Sequence, residues 1–93
     1  MVIGSIVLDL YIPHATSLKE KRMIVRSLKE KLKSKFNVSV SEVGNQDLWQ
    51  SANIAVVFVS PEKRQTEKIM QSIINFVETN FPDIYINIYK ELI

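Results

Sequence analysis

Residues 14–36 read HATSLKEKRMIVRSLKEKLKSKF, and this stretch decides how the segments on either side of it are arranged. Ser17 followed by Glu20 is a capping box: the Ser17 hydroxyl accepts from the Glu20 amide, and the Glu20 carboxylate reaches back to the Ser17 amide. Pro13 disfavours helical backbone at Ile12, so a strand is expected to end there. Beyond Ser17, Leu18, Ile24, Val25, Leu28 and Leu32 recur at helical spacing and form an apolar stripe. Lys19, Arg22, Arg26, Lys29 and Lys33 form a second stripe within about 80° of arc, a basic ridge along the helix flank.

The charge is segregated. From Ser17 to Lys35, eight Lys or Arg stand against two Glu, a net of +6; the whole chain carries +2, so the rest sums to −4. The plain reading is a solvated helix face, with Lys29, Lys33 and Lys35 favourable near the negative end of the helix dipole. The sharper reading is a ridge that binds a polyanion, RNA first among them. Lys21 departs from both stripes, because its angle places it among the apolar residues, one turn above Val25 and Leu28. It must either snorkel past the end of the sheet or meet an acid, for which Asp47 and Glu42 are the candidates.

Working outward, Val2 to Ile12 alternates with Ile6, Leu8, Leu10 and Ile12 on one side and Ser5 and Asp9 on the other, the pattern of a half-buried strand. After the helix, Phe36 to Val43 alternates until Glu42 and Val43, where it slips as at a bulge or a strand end. Gly44-Asn45-Gln46-Asp47 is turn chemistry. Gln50 to Ser60 contains IAVVFV, apolar on both faces, and is expected in the middle of a sheet. Ser60 as N-cap and Pro61 at the first helical position predict a second helix there. Its buried stripe is Thr66, Ile69, Met70, Ile73, Phe76 and Val77. Ile84 to Tyr89 is a last alternating strand.

The order β-α-β-β-α-β predicts an α+β, ferredoxin-like fold: a four-stranded antiparallel sheet, strand order 4-1-3-2, with two helices on one face. Residues 1–93 are expected to form one domain of this kind. In this topology the loop His14 to Ser17, the first helical turn, the hairpin Gly44 to Gln50 and the turn Asn80 to Asp83 share one rim. His14, Asp47, Trp49 and Gln50 are then expected beside the basic first turn.

Composition sets limits. A hydrophobic fraction of 46% with 24% charged residues is that of an ordinary globular chain. With no cysteine and one histidine, disulfides and thiolate metal sites are excluded, and no spaced carboxylate cluster suggests another metal site. No cofactor is implied. The opening MVIGSIVLDLYI lacks an early basic region and is broken by Asp9, so it does not read as a signal peptide. No apolar run reaches the roughly 20 residues of a membrane span, and a cytoplasmic location is the expectation.

His14, the run Ser17-Leu18-Lys19-Glu20-Lys21-Arg22, the segment Phe36 to Val43 and Asp47-Leu48-Trp49-Gln50 resemble the YlxP-like family of small bacterial proteins, and the likeness extends over essentially the whole chain. The resemblance implies a ferredoxin-like fold and a cytoplasmic protein without a settled biochemical role. It also implies a link to the ribosome, because such genes typically neighbour translation-initiation and ribosome-maturation genes. It supplies no catalytic residue.

The candidate site is therefore a binding surface. His14, Lys19, Lys21, Arg22, Arg26, Lys29, Lys33, Trp49 and Gln50 are its expected RNA contacts, with ribosomal RNA or a ribosomal subunit as partner. Ser17, Glu20, Glu42 and Asp47 are expected to brace the rim. Each has a plainer alternative: His14 as a loop residue bonding nearby backbone, Trp49 packing on Leu18 or Leu48, Asp47 as a turn residue. The uncovered sheet face would carry Val7, Tyr11, Ala55, Val57, Val59, Tyr85 and Tyr89, an apolar surface suited to a homodimer. The parity of the third strand stays open, since Ile54, Val56 and Phe58 are equally apolar. Its Ala and Val residues also lack the aromatic signature of sheet-face RNA-recognition modules. An acylphosphatase-like enzyme would share the fold but needs a glycine-rich phosphate cradle, and the chain has only Gly4 and Gly44. The chain is not expected to be an enzyme.

Overall fold

A computed structural model describes residues Met1–Ile93. The elements are β1 (Val2–Tyr11), α1 (Leu18–Lys35), β2 (Ser39–Gly44), β3 (Ser51–Ser60), α2 (Lys63–Asn80) and β4 (Tyr85–Leu92). The strands form one antiparallel sheet in the order β2-β3-β1-β4, and residues of both helices join one core with its inner face. This is the expected ferredoxin-like arrangement, with β1 and β3 central.

Pairing with β1 resolves the ambiguity in β3. Ser5 and Asp9 hold the odd positions of β1 on the open face, so Ile6, Leu8 and Leu10 point to the helices. The register Ile6↔Val56, Leu8↔Ile54 and Leu10↔Ala52 then carries the even positions of β3 to the same side. All six are buried together with Ile12, under Val25, Leu28 and Leu32 of α1 and Met70, Ile73 and Val77 of α2. In the same register Gly4 faces Phe58. A Cβ built on Gly4 would lie 2.5 Å from the tip of the Phe58 ring, so the ring occupies the space that a side chain would need.

Two helix starts differ from expectation. At α1, Ser17 is the N-cap and accepts from the Glu20 amide at 3.1 Å, but the Glu20 carboxylate turns to the amide and hydroxyl of Thr16, both at 2.8 Å, rather than to Ser17. Thr16 offers two donors where Ser17 would offer one. At α2 the N-cap is Glu62, not Ser60, and Pro61 precedes the cap. Ser60 is held in β3 opposite Val2, which delays the helix by two residues. The Glu62 carbonyl gathers the Thr66 amide at 3.1 Å and the Thr66 hydroxyl at 2.8 Å, which explains why Thr66 is buried. In β2 the slip at Val43 is a bulge between Glu42 and Gly44, and Asn45 follows with a left-handed φ of 59°.

The Gly4–Phe58 contact makes a test of packing. Gly4→Ala should displace the ring and lower stability by about 1–3 kcal/mol in urea denaturation; an unchanged midpoint would show that the ring has room to move.

Candidate functional site

The rim is assembled around Lys21. Its side chain is fully buried (0% exposed), so it does not snorkel. The ammonium has three N–H donors and three acceptors: Glu42 Oε2 at 2.6 Å, the Asn45 carbonyl at 2.7 Å and the Gln46 carbonyl at 3.3 Å. Glu42 Oε2 is itself buried and has no other donor. The bulge explains the partner. Glu42 shares the inward parity of Val40, whereas Asp47 lies beyond it on the exposed hairpin and is not paired with Lys21. A second tie fixes the same end: the Gln50 amide donates to the Pro13 and Ala15 carbonyls, each at 3.3 Å, and the Ile12 amide donates to the Gln50 carbonyl at 2.8 Å. The hairpin and the capped turn therefore share one rim.

Two of the expected RNA contacts are corrected by this geometry. The Lys21 ammonium is enclosed and saturated, so it cannot meet a phosphate. The Gln50 amide N–H groups bond backbone, so the residue ties the loop rather than presenting itself. Trp49, by contrast, stands 46% exposed on the hairpin.

Arg22, Arg26, Lys29 and Lys33 line a groove of about 400 Å³ with Val25, Glu30 and Glu42. It runs between the flank of α1 and β2, an edge strand. The Lys21–Glu42 contact is the molecule's one ion pair, so no acid lies within 4.0 Å of any of these four cations. The other cations of α1 differ in their surroundings. Lys31 lies over the Phe81 ring at 5.1 Å and Lys35 over Phe76 at 5.5 Å, where the stems cover aromatic surface. Lys19 is exposed in the first turn and lines no part of the groove.

His14 belongs elsewhere. It lines a cleft of about 280 Å³ with Met23, Ile24, Ser27, Phe81 and Asp83, on the opposite flank of α1. The structure brings it to the rim but separates it from the basic groove. Nearby, hydrogen bonds from the Thr16 amide and hydroxyl hold the Glu20 carboxyl below its ordinary value of 4.5, opposed by slight desolvation and aided by the charge of His14.

The open face carries the expected apolar residues. The cross-strand rows are Val59–Ile3, Val57–Ser5–Glu91, Ala55–Val7–Tyr89, Asn53–Asp9–Asn87 and Ser51–Tyr11–Tyr85. Asn53 donates to Asp9 at 3.0 Å, and the Tyr11 and Tyr85 rings stack with centroids 6.0 Å apart. No group of three or more metal-ligating side chains is present, and no helix is long and apolar enough to cross a membrane.

The sequence profile of a family described as "Protein of unknown function (DUF503)" matches residues 3–90. "Uncharacterized protein YlxP" of Bacillus subtilis (strain 168) is 40% identical over 83 residues, which are 89% of this chain and 89% of that protein. A crystal structure of a dimeric ferredoxin-like protein from an uncultured marine organism aligns with a TM-score of 0.54 at 19% identity, covering 99% of this chain and 92% of that one. The last likeness establishes the fold.

The Lys21–Glu42 pair predicts coupled effects. Lys21→Met leaves a carboxylate without its partner and should cost about 3 kcal/mol in urea denaturation, with Glu42→Leu costing a similar amount. The double variant should recover most of the loss; additive losses would show that the two residues act independently.

Proposed function

The chain belongs to the DUF503 family of YlxP-like proteins, and from that footing we propose that it is a non-catalytic cytoplasmic factor that binds RNA, in the ribosome or its precursors, through the basic flank of α1. The supporting observation is the row of four unpaired cations, Arg22, Arg26, Lys29 and Lys33, along one groove. Surface charges on an ordinary soluble helix are commonly interleaved with acids at i+3 or i+4. Here only Glu30 interrupts the row, and the other acid of α1, Glu20, is engaged by Thr16 in the first turn. Phosphates are the natural complement of a linear array of this kind, and arginine offers them a planar, bidentate donor set.

In a filter-binding titration with ribosomal RNA, four phosphate contacts should weaken binding about a hundredfold between roughly 50 and 200 mM salt. Arg22→Glu/Arg26→Glu should abolish co-sedimentation with ribosomal subunits while leaving the fold intact. Affinity that stays flat with salt would count against the reading.

A second reading, self-association through the open sheet face, is favoured by Val59, Tyr85 and Tyr89, which stand 66%, 68% and 60% exposed. A protein of the same fold is described as dimeric. Light scattering should then give twice the chain mass, and Val57→Glu should return the monomer; a monomeric parent at high concentration would dismiss it. The two surfaces lie on different sides of the molecule and can operate together.

A further inference from the structure

We infer that the groove between α1 and β2 takes single-stranded rather than duplex RNA, with phosphates along Arg22, Arg26, Lys29 and Lys33 and a base stacked on Trp49. This deepens the RNA reading of the same flank and rests on it.

Shape comes first. The four cations do not crown a convex ridge; they form one wall of a recess whose other side is the β2 edge, with Val25 between them. From Arg22 to Lys33 the row spans about 16 Å at 1.5 Å rise per residue, a length along which it can follow a nucleic-acid backbone. A thin, flexible chain can enter such a recess. The rigid, broad cylinder of a duplex would touch only its lip.

The hairpin adds the second component. Lys21 holds the carbonyls of Asn45 and Gln46, and Trp49 follows three residues later in the same turn. Arg22, the first cation of the row, is the neighbour of Lys21. The exposed indole is thus carried on the hairpin that Lys21 ties to the Arg22 end of α1. A cationic channel that ends in an aromatic platform is the general construction of single-strand binders, because an unpaired base can offer its ring face and a paired one cannot.

The groove lining has no amide or hydroxyl side chain, and its donors are the four cations. The carboxylate of Glu42 is neutralised by Lys21, and Glu30 is the one free acid on the wall. The free edge of β2 gives the recess unpaired backbone groups as well, which an acidic peptide strand could also use. The tryptophan platform is what favours a nucleic acid.

Fluorescence anisotropy with a labelled octa-uridylate, an RNA duplex of equal length and a labelled poly-glutamate peptide tests this inference. The single strand should bind at least tenfold more tightly than the duplex, with log affinity falling against log salt at a slope of about −2.8 for four contacts. Trp49→Ala should weaken the single strand roughly tenfold. Arg26→Glu/Lys29→Glu should abolish binding, whereas Lys31→Glu/Lys35→Glu, the same charge change on the other flank, should retain most of it. Circular dichroism and thermal melts verify that each variant is folded. Equal or tighter binding of the duplex, or indifference to Trp49→Ala, overturns the single-strand inference and leaves the RNA reading standing. Failure to bind either RNA at low salt overturns both. Preference for poly-glutamate in that case assigns the groove to an acidic protein strand.

Discussion

One buried ammonium constrains the rest of this molecule. Lys21 cannot be taken out of water unless all three of its N–H groups find acceptors, and the three available come from one short segment, Glu42 to Gln46. Satisfying them pins the β2–β3 hairpin to the first turn of α1. The bulge at Val43 and the left-handed Asn45 are parts of the same solution, since they turn two successive carbonyls toward the helix. A hydrophobic residue at position 21 would fill the space with no such demand on the hairpin. The pair adds little net stability by itself, but it makes register errors in β2 expensive, because a slip by one residue would turn Glu42 outward and leave Lys21 unpartnered. It also places an inward-pointing charge on an edge strand, a known defence against unwanted pairing at that edge.

Apart from Lys19, exposed in the first turn, the positive charge of α1 sorts into three groups. Lys21 is structural and hidden. Lys31 and Lys35 lie over the Phe81 and Phe76 rings, screening aromatic surface where α1 approaches α2. The remaining row, Arg22 to Lys33, has neither acid nor ring to engage. A net charge for the helix, or a helical wheel, merges these groups. The groups become distinct only once the packing of neighbouring elements is known, and of the three only the last is free to meet a ligand.

The same distinction marks how far the sequence could be read. Strand alternation and the serine cap at α1 follow from local chemistry, and they gave the element order and the sheet topology. The shared rim follows from topology alone. What escaped was decided by competition between near neighbours. Glu20 had two possible donors and took Thr16 because it presents both an amide and a hydroxyl. Ser60 had the right residue type for a cap, but its pairing with Val2 kept it in the strand. Asp47 and Glu42 were equally plausible partners for Lys21 until the bulge fixed their parity. Gly4 carried no signal on its own, since its meaning lies in the Phe58 ring across the register. His14 sits beside the basic turn in sequence, yet the thickness of α1 places it on the other flank.

The open sheet face is patterned in a way that bears on how it can be covered. Its apolar residues are not continuous, because the row Asn53–Asp9–Asn87 crosses both central strands and the edge strand β4 between Val7 and Tyr11. Asp9 already accepts from Asn53, so this row keeps hydrogen-bonding capacity mainly at Asn87 and at the second carboxylate oxygen. Any surface laid flat on the sheet must offer polar partners there and apolar contacts to either side, against Tyr89 and Val57 above and the stacked Tyr11–Tyr85 pair below. Desolvating the row without partners would offset much of the gain from the flanking apolar area. The face therefore selects for a partner in one register, and its polar row works against indiscriminate association of the kind that a uniform patch of valines and tyrosines would invite.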